Sequence, residues 1–253
     1  MLSLRKGRLV ARTASSAEDL RAAQALRHLA FIDGRPGATP RAEGLDADAF
    51  DPACRHVLVE DSATGALVCC FRLLPLAEGA EIGRSYSAQF YELSGLSGYP
   101  GRMVEMGRFC IHPDRAGDPD VLRTAWAAMT RIVDAEGVEM LFGCSSFLGT
   151  EADRYRDAFA LLTERHLAPR RFLPRIKAPR VFPFARRLRG LRPDPRRAMA
   201  GLPPLLRSYL AMGGWVSDHA VVDTDLDTLH VFTALEIAAI PPARARLLRA
   251  AAA

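Results

Sequence analysis

The sequence predicts an α/β (α+β) fold, a mixed sheet flanked by helices, on three observations. Strand-like apolar runs and amphipathic helical stretches follow one another in the order β-α-β-β-β-α-β-α, with two further strands near the end, a succession that calls for strands and helices in shared layers. The chain has 253 residues, 49% of them hydrophobic, enough for one substantial core and too few to demand two. No internal repeat interrupts that order. A single domain over 1–253 is therefore expected.

The elements follow from local signals. Residues 8–12 read as a short strand. Ser16 and Asp19 then form a capping-box pattern ahead of a helix reaching Phe31, with Leu20, Ala23, Leu26, Ala30 and Phe31 as its apolar stripe. A loop rich in Gly, Pro and acids occupies 34–52. Two strand-like runs, 55–61 and 66–74, flank Ser62-Ala63-Thr64-Gly65, a hairpin signal. Residues 102–111 read as a strand, 118–136 as a helix stopped by Gly137, 138–144 as a buried strand and 151–166 as another helix. Beyond these come a short helix at 203–212 and strands at 216–222 and 229–235.

Composition bounds the functional class. No apolar run reaches the ~18 residues that cross a bilayer, and the first six residues lead into no signal-peptide core, so a cytoplasmic protein is expected. The five cysteines, Cys54, Cys69, Cys70, Cys110 and Cys144, form no CxxC pattern, and the six histidines show no ligand spacing; reduced core thiols and no metal are expected. The net charge of +5 is uneven. Between 165 and 197 stand twelve Lys or Arg against one acid, Asp194, giving this segment +11 and leaving −6 for the rest. Such a patch suits anionic partners: nucleic acid, acidic headgroups or an acidic protein. It holds no groove-reading motif, which argues against nucleic acid.

The densest chemistry lies in Val104-Glu105-Met106-Gly107-Arg108-Phe109-Cys110-Ile111-His112-Pro113. An acid and a base inside an apolar strand are costly unless used or paired. On a regular strand Glu105 and Arg108 point to opposite faces, and Gly107 offers a place for a bulge that brings them to one side. A structural ion pair is the plainer reading of the same stretch. Three further features accompany it: Arg27 beside an apolar helix face in Leu26-Arg27-His28-Leu29-Ala30-Phe31, two acids around an aromatic in Asp48-Ala49-Phe50-Asp51, and Arg72 within Phe71-Arg72-Leu73-Leu74-Pro75. Two other patterns fail on geometry. His56 and Asp61 match H-x4-D but lie ~16 Å apart on opposite strand faces, and Ser145-Ser146 lacks the G-x-S-x-G elbow.

In order, L-R-x-x-x-F, D-x-F-D, F-R-L-L-P and V-E-x-x-R-F resemble the arrangement shared by N-acylhomoserine lactone synthases and the ornithine acyltransferases of lyso-ornithine lipid synthesis, both of the GNAT superfamily. Gly107 to Asp114, Leu141-Phe142-Gly143-Cys144-Ser145-Ser146-Phe147, Leu202-Pro203-Pro204-Leu205 and Asp218-His219-Ala220-Val221-Val222-Asp223 resemble the ornithine branch. The resemblance spans roughly 17–237. It implies a GNAT fold, a mixed and mostly antiparallel twisted sheet, and transfer of a (3-hydroxy)acyl group from acyl carrier protein to the α-amino group of ornithine.

The same resemblance implies roles. Glu105 would be the general base, and an apolar strand that raises its pKa would suit that task. Arg27, Phe31, Asp48, Asp51, Arg72 and Arg108 would bind substrate, the arginines clamping carboxylates and the aspartates receiving a cationic acceptor. Coenzyme A enzymes of this superfamily carry a Q/R-x-x-G-x-G/A loop whose amides hold pyrophosphate. Here the corresponding turn, His112 to Asp120, has one glycine, one arginine and three acids. That departure fits a phosphopantetheine thioester on acyl carrier protein as donor, with no cofactor. Arg170, Arg171, Arg175, Lys177 and Arg180 would then face the carrier protein or an anionic membrane, giving peripheral contact with its inner face. Glutamine or glycine as acceptor, autoinducer synthesis, and a non-catalytic nucleic-acid-binding module are the competing readings.

Overall fold

The computed structural model describes residues 2–33, 35 and 37–253. In chain order the elements are β1 (Ser3–Lys6), β2 (Leu9–Thr13), α1 (Ala17–Phe31), β3 (Arg55–Asp61), β4 (Leu67–Leu76), β5 (Tyr91–Glu92), β6 (Met103–Ile111), α2 (Pro119–Glu136), β7 (Met140–Leu148) and α3 (Arg156–Arg165). They continue with β8 (Arg175–Ile176), β9 (Val181–Phe182), α4 (Phe184–Arg187), α5 (Pro195–Gly201), α6 (Pro204–Ala211), β10 (Trp215–Val216), β11 (Ala220–Asp223), β12 (Thr228–Glu236) and α7 (Pro242–Ala252). The chain divides into two compact units, each drawing on separated segments: 1–75, 106–138 and 242–253 in the first, 76–105 and 139–241 in the second.

In the first unit β1 to β4 form an antiparallel meander, and the second half of β6 lies beside β4. The backbone N–H of His112 donates to Val68 at 2.8 Å. Helix α1 starts where Ser16 accepts the Asp19 N–H at 3.1 Å. The return half of the expected box goes elsewhere, because the Asp19 carboxylate binds the Ser15 N–H and a bidentate Arg12. Ala23 and Leu26 pack against Leu58, Cys70 and Cys110 as an apolar layer. Helix α2 begins at Asp118, whose side chain accepts the Asp120 N–H, and ends at Gly137 with φ +61°, the left-handed closure that glycine adopts without a Cβ penalty.

In the second unit the first half of β6 runs parallel to β7, and that ladder ends at Glu105, opposite Phe142. Strand β7 pairs antiparallel with β12 over nine residues, and β11 and β9 follow. Phe147, Phe159, Leu162, Phe184, Leu206, Leu229 and Val231 form the core between these strands and α3 to α6. The strand expected at 216–222 is split. The Ser217 side chain donates to the His219 carbonyl and accepts the Phe232 N–H, which turns the chain between β10 and β11. The helix expected from 151 opens with a 3-10 turn, Ala152–Tyr155, and becomes α-helical only at Arg156.

Candidate functional site

In the first unit α1, β4, β6 and the loop before β3 bring together three arginines and three aspartates. Arg27, only 1% exposed, shares the buried side of α1 with Ala23 and Leu26. Its Nε donates to Asp46 Oδ2 at 2.9 Å and its Nη1 to Asp51 Oδ1 at 2.7 Å. Arg72, within β4, grips Asp48 through both terminal nitrogens at 2.5 and 2.8 Å and reaches Asp51 at 2.6 Å. Arg108 donates to Asp46 at 2.9 Å and to Asp48 at 3.0 Å. Each aspartate bridges two arginines. The six charges cancel, which is what makes them tolerable inside the protein.

This electrostatic arrangement sets the titration of Asp51 and Asp48. Burial would push the Asp51 carboxyl up, but Arg27, Gln24 and Arg72 outweigh it and hold the group below the ordinary carboxylate range. Asp48 is likewise held low, burial being overcome by Arg72 and Arg108. His56, whose Nε2 lies 3.1 Å from the Asp51 carbonyl, is pushed down by burial. Asp48 and Arg108 are the most exposed of the six charged side chains, at 21% and 10%, and Phe31 is half-buried at the end of α1 against the same apolar layer.

The unusual backbone in this stretch lies at Arg108, one residue after Gly107. Arg108 itself has φ +53°, a conformation that costs an L-residue about 1–2 kcal/mol. Its two carboxylate bonds hold it there. A Cβ on Gly107 would meet Arg72 only at 3.5 Å, ordinary contact, so that glycine is not demanded by space. Asp46 is the member that sequence reasoning missed. It precedes the D-x-F-D pattern and looks like one of several acids in a polar loop.

In the second unit Glu105 is buried at the end of the parallel ladder. Its surroundings are not the apolar ones expected. Oε2 accepts the Tyr86 N–H at 2.7 Å, and Oε1 accepts the Ser87 N–H at 2.7 Å and the Ser87 hydroxyl at 2.5 Å. Amide and hydroxyl donors thus meet both carboxylate oxygens. Ser87 opens a 3-10 turn, Ser87–Gln89, so local backbone geometry turns two successive amides toward Glu105. The Ser87 Oγ also lies 3.4 Å from the Cys144 thiol on β7. Next along β7, the Ser145 hydroxyl accepts from Thr233 of β12 at 3.0 Å.

Between β6 and α2, the turn at His112 to Asp120 is tied down by Arg115. It donates to Asp61 of β3 at 3.0 Å and to Asp118 at 2.7 Å, while Asp118 accepts the Asp120 N–H of α2 at 2.9 Å. A carboxylate thus occupies the helix terminus. Among the described residues no group of three His, Cys, Asp or Glu is placed to hold a metal ion. The basic residues Arg170, Arg171, Arg175, Lys177 and Arg180 are all exposed in the second unit, with Arg175 3.8 Å from Glu92 and Lys177 donating to the Ala88 carbonyl at 2.6 Å.

The family model described as an acetyltransferase (GNAT) domain matches residues 26–127, a span that contains all six charged residues of the first cluster and Glu105. Solved structures share the fold. A CoA-dependent acyl-homoserine lactone synthase is similar with a TM-score of 0.52 and 13% identity, over 95% of this chain and 86% of that one. An N-acyl amino acid synthase from uncultured soil microbes is similar with a TM-score of 0.50 and 10% identity, over 91% and 92%. The protein is an acyltransferase with the GNAT fold. The relationship is closer still to two proteins named L-ornithine N(alpha)-acyltransferase: 34% identity over 90% of both chains with that of Rhodobacter capsulatus, and 32% over 92% of this chain and 81% of that of Rhizobium meliloti. The chain belongs to the L-ornithine N(alpha)-acyltransferase family.

Proposed function

We propose that the protein transfers a 3-hydroxyacyl group from acyl carrier protein to the α-amino group of ornithine, yielding a lyso-ornithine lipid, with Glu105 as general base. The carrying observation is the buried Glu105 carboxylate, whose two oxygens are oriented by two amides and a hydroxyl. An amino acid arrives as its ammonium form and must lose a proton before it can attack. Glu105 takes that proton, directly or through a water. The freed amine attacks the thioester carbonyl, the tetrahedral intermediate collapses, the C–S bond breaks, and the leaving pantetheine thiolate takes the second proton that the nitrogen sheds, while the proton on Glu105 passes to solvent. The names of the relatives support ornithine as acceptor.

The donor reading rests on the turn before α2. A coenzyme A pyrophosphate needs free amides at a helix N-terminus and is repelled by carboxylates there; here the Asp118 carboxylate accepts the Asp120 N–H, and Arg115 is committed to Asp61 and Asp118. A carrier-bound pantetheine brings a single phosphate and makes no such demand. Within the first cluster, Asp48 and Arg108 take the substrate's charged groups, Phe31 contacts its apolar part, and Arg27, Arg72, Asp46 and Asp51 hold those side chains in place. The test is kinetic. With ornithine, kcat/KM for 3-hydroxyacyl carrier protein should exceed that for the matching coenzyme A thioester, and mass spectrometry should find Nα-acylornithine. Equal or better use of coenzyme A overturns the donor, and preferential acylation of glutamine or glycine overturns the acceptor.

A further inference from the structure

The transfer chemistry proposed above uses no residue of the arginine-rich segment 165–197, and its structure is specific. All twelve of its basic side chains are exposed. Only Arg165, Arg171 and Arg175 lie within ion-pair distance of a carboxylate among the described residues. Nine cations thus have no carboxylate within that distance among the described residues, and a partner of opposite charge would relieve their mutual repulsion. The segment is held in place. Ala168 donates to Val216 at 2.8 Å, Ala178 to Phe90 at 3.0 Å, Ala185 to Asp218 at 3.1 Å, Val222 to Arg180 at 2.9 Å, and Asp194 to the Asp157 side chain at 2.8 Å. Its arginines are thus presented on a fixed backbone.

Two large apolar side chains are exposed within or just after this segment. Ile176 is 54% exposed between Arg175 and Lys177, and Met199 is 48% exposed just beyond Arg196 and Arg197. Eleven of the twelve basic residues are arginines, whose planar guanidinium matches phosphate oxygens in pairs. Cations that meet phosphates, with apolar tips between them, are what a headgroup layer over hydrocarbon accommodates. An acidic carrier protein would match the charge at a few points. It would leave most of the nine cations and the two apolar tips unmatched.

We propose that residues 165–197, with Met199, form a docking face for an anionic phospholipid bilayer. The acyltransferase reading gives this face its purpose, release of a lipid product at a membrane, but the binding test does not depend on it. The full chain is sedimented with phosphatidylcholine vesicles that contain or lack phosphatidylglycerol. Binding should require phosphatidylglycerol and fall with added salt. Each basic group near the surface contributes about fivefold to partitioning, so the combined Arg186→Ala, Arg189→Ala, Arg192→Ala and Arg196→Ala variant should bind several hundred-fold more weakly while melting like wild type. Met199→Ser should bind a few-fold more weakly. No sedimentation with phosphatidylglycerol, or undiminished binding by the fourfold variant, overturns the proposal. So does capture of immobilised acyl carrier protein that the fourfold variant loses, without vesicle binding. Ornithine acylation in vesicle-free buffer, measured alongside, separates failure of the docking face from failure of the acyltransferase reading.

Discussion

Replacing Asp51 by asparagine removes one charge from a cluster in which every aspartate bridges two arginines. The Asp51 side chain is 3% exposed and accepts from Arg27 at 2.7 Å, Arg72 at 2.6 Å and Gln24 at 2.9 Å. The Asp51→Asn variant would turn an amide toward at least one of these donors and leave three guanidiniums, those of Arg27 and Arg72 buried, facing two carboxylates. Breaking a buried pair from one side costs about 3–5 kcal/mol. For a chain of this length that corresponds to a fall in Tm of about 6–20 °C. The pH dependence adds a second readout. The folded Asp51 pKa is depressed, so the unfolded chain binds more protons between the two pKa values and stability rises with pH there. The contribution of Asp51 is complete above the ordinary aspartate pKa of about 3.9 and is lost as pH falls below it. Thermal unfolding of both proteins from pH 7 downward should show a gap that is largest near neutrality and narrows below about pH 4. A variant within about 1 kcal/mol of wild type at pH 7, or a gap that ignores pH, would refute the neutral-cluster account.

Other consequences follow from the same contacts. Ser87→Ala deletes the hydroxyl donor on Glu105; a hydrogen bond to a charged group contributes about 1.5–3 kcal/mol, so kcat/KM should fall roughly tenfold or more, with recovery in Ser87→Thr. Full activity in the alanine variant would show that the hydroxyl does not orient the carboxylate. Asp118→Ala uncaps α2, costs about 1 kcal/mol of stability, and should raise the use of acyl coenzyme A relative to acyl carrier protein; an unchanged donor ratio would mean that this carboxylate does not exclude pyrophosphate.

The sequence shows some of this architecture and hides the rest for identifiable reasons. The β3–β4 hairpin, the Asp118 and Gly137 ends of α2 and the Ser16 cap are local, and their residue chemistry specifies them within a few positions. Strand β1, Ser-Leu-Arg-Lys, is too short and polar to stand out, and forms only by pairing with β2 across the Gly7 turn. Helix α7 is an Ala- and Arg-rich stretch whose place depends on packing against α2, fixed in part by Arg249 binding Asp134 through two 2.9 Å bonds. At the site, Arg27, Arg72 and Arg108 are visible as charges in apolar runs. Their pairing with Asp46, Asp48 and Asp51 is tertiary, and it changes their meaning: arginines expected to clamp a substrate are largely engaged with the protein's own aspartates. Ser87 and the amides on Glu105 carry no signal, because a serine in a variable stretch reveals nothing until the backbone turns it inward.

The central claim is that Glu105 accepts the proton of the attacking amine. Single-turnover transfer from preloaded acyl carrier protein to ornithine, comparing wild type with Glu105→Gln, tests it most directly, since product release cannot mask the chemical step. Loss of a general base should slow transfer about 10²–10⁴-fold while donor binding stays near the wild-type value. A Glu105→Gln protein that is folded, binds the donor and transfers within about threefold of the wild-type rate would contradict the account.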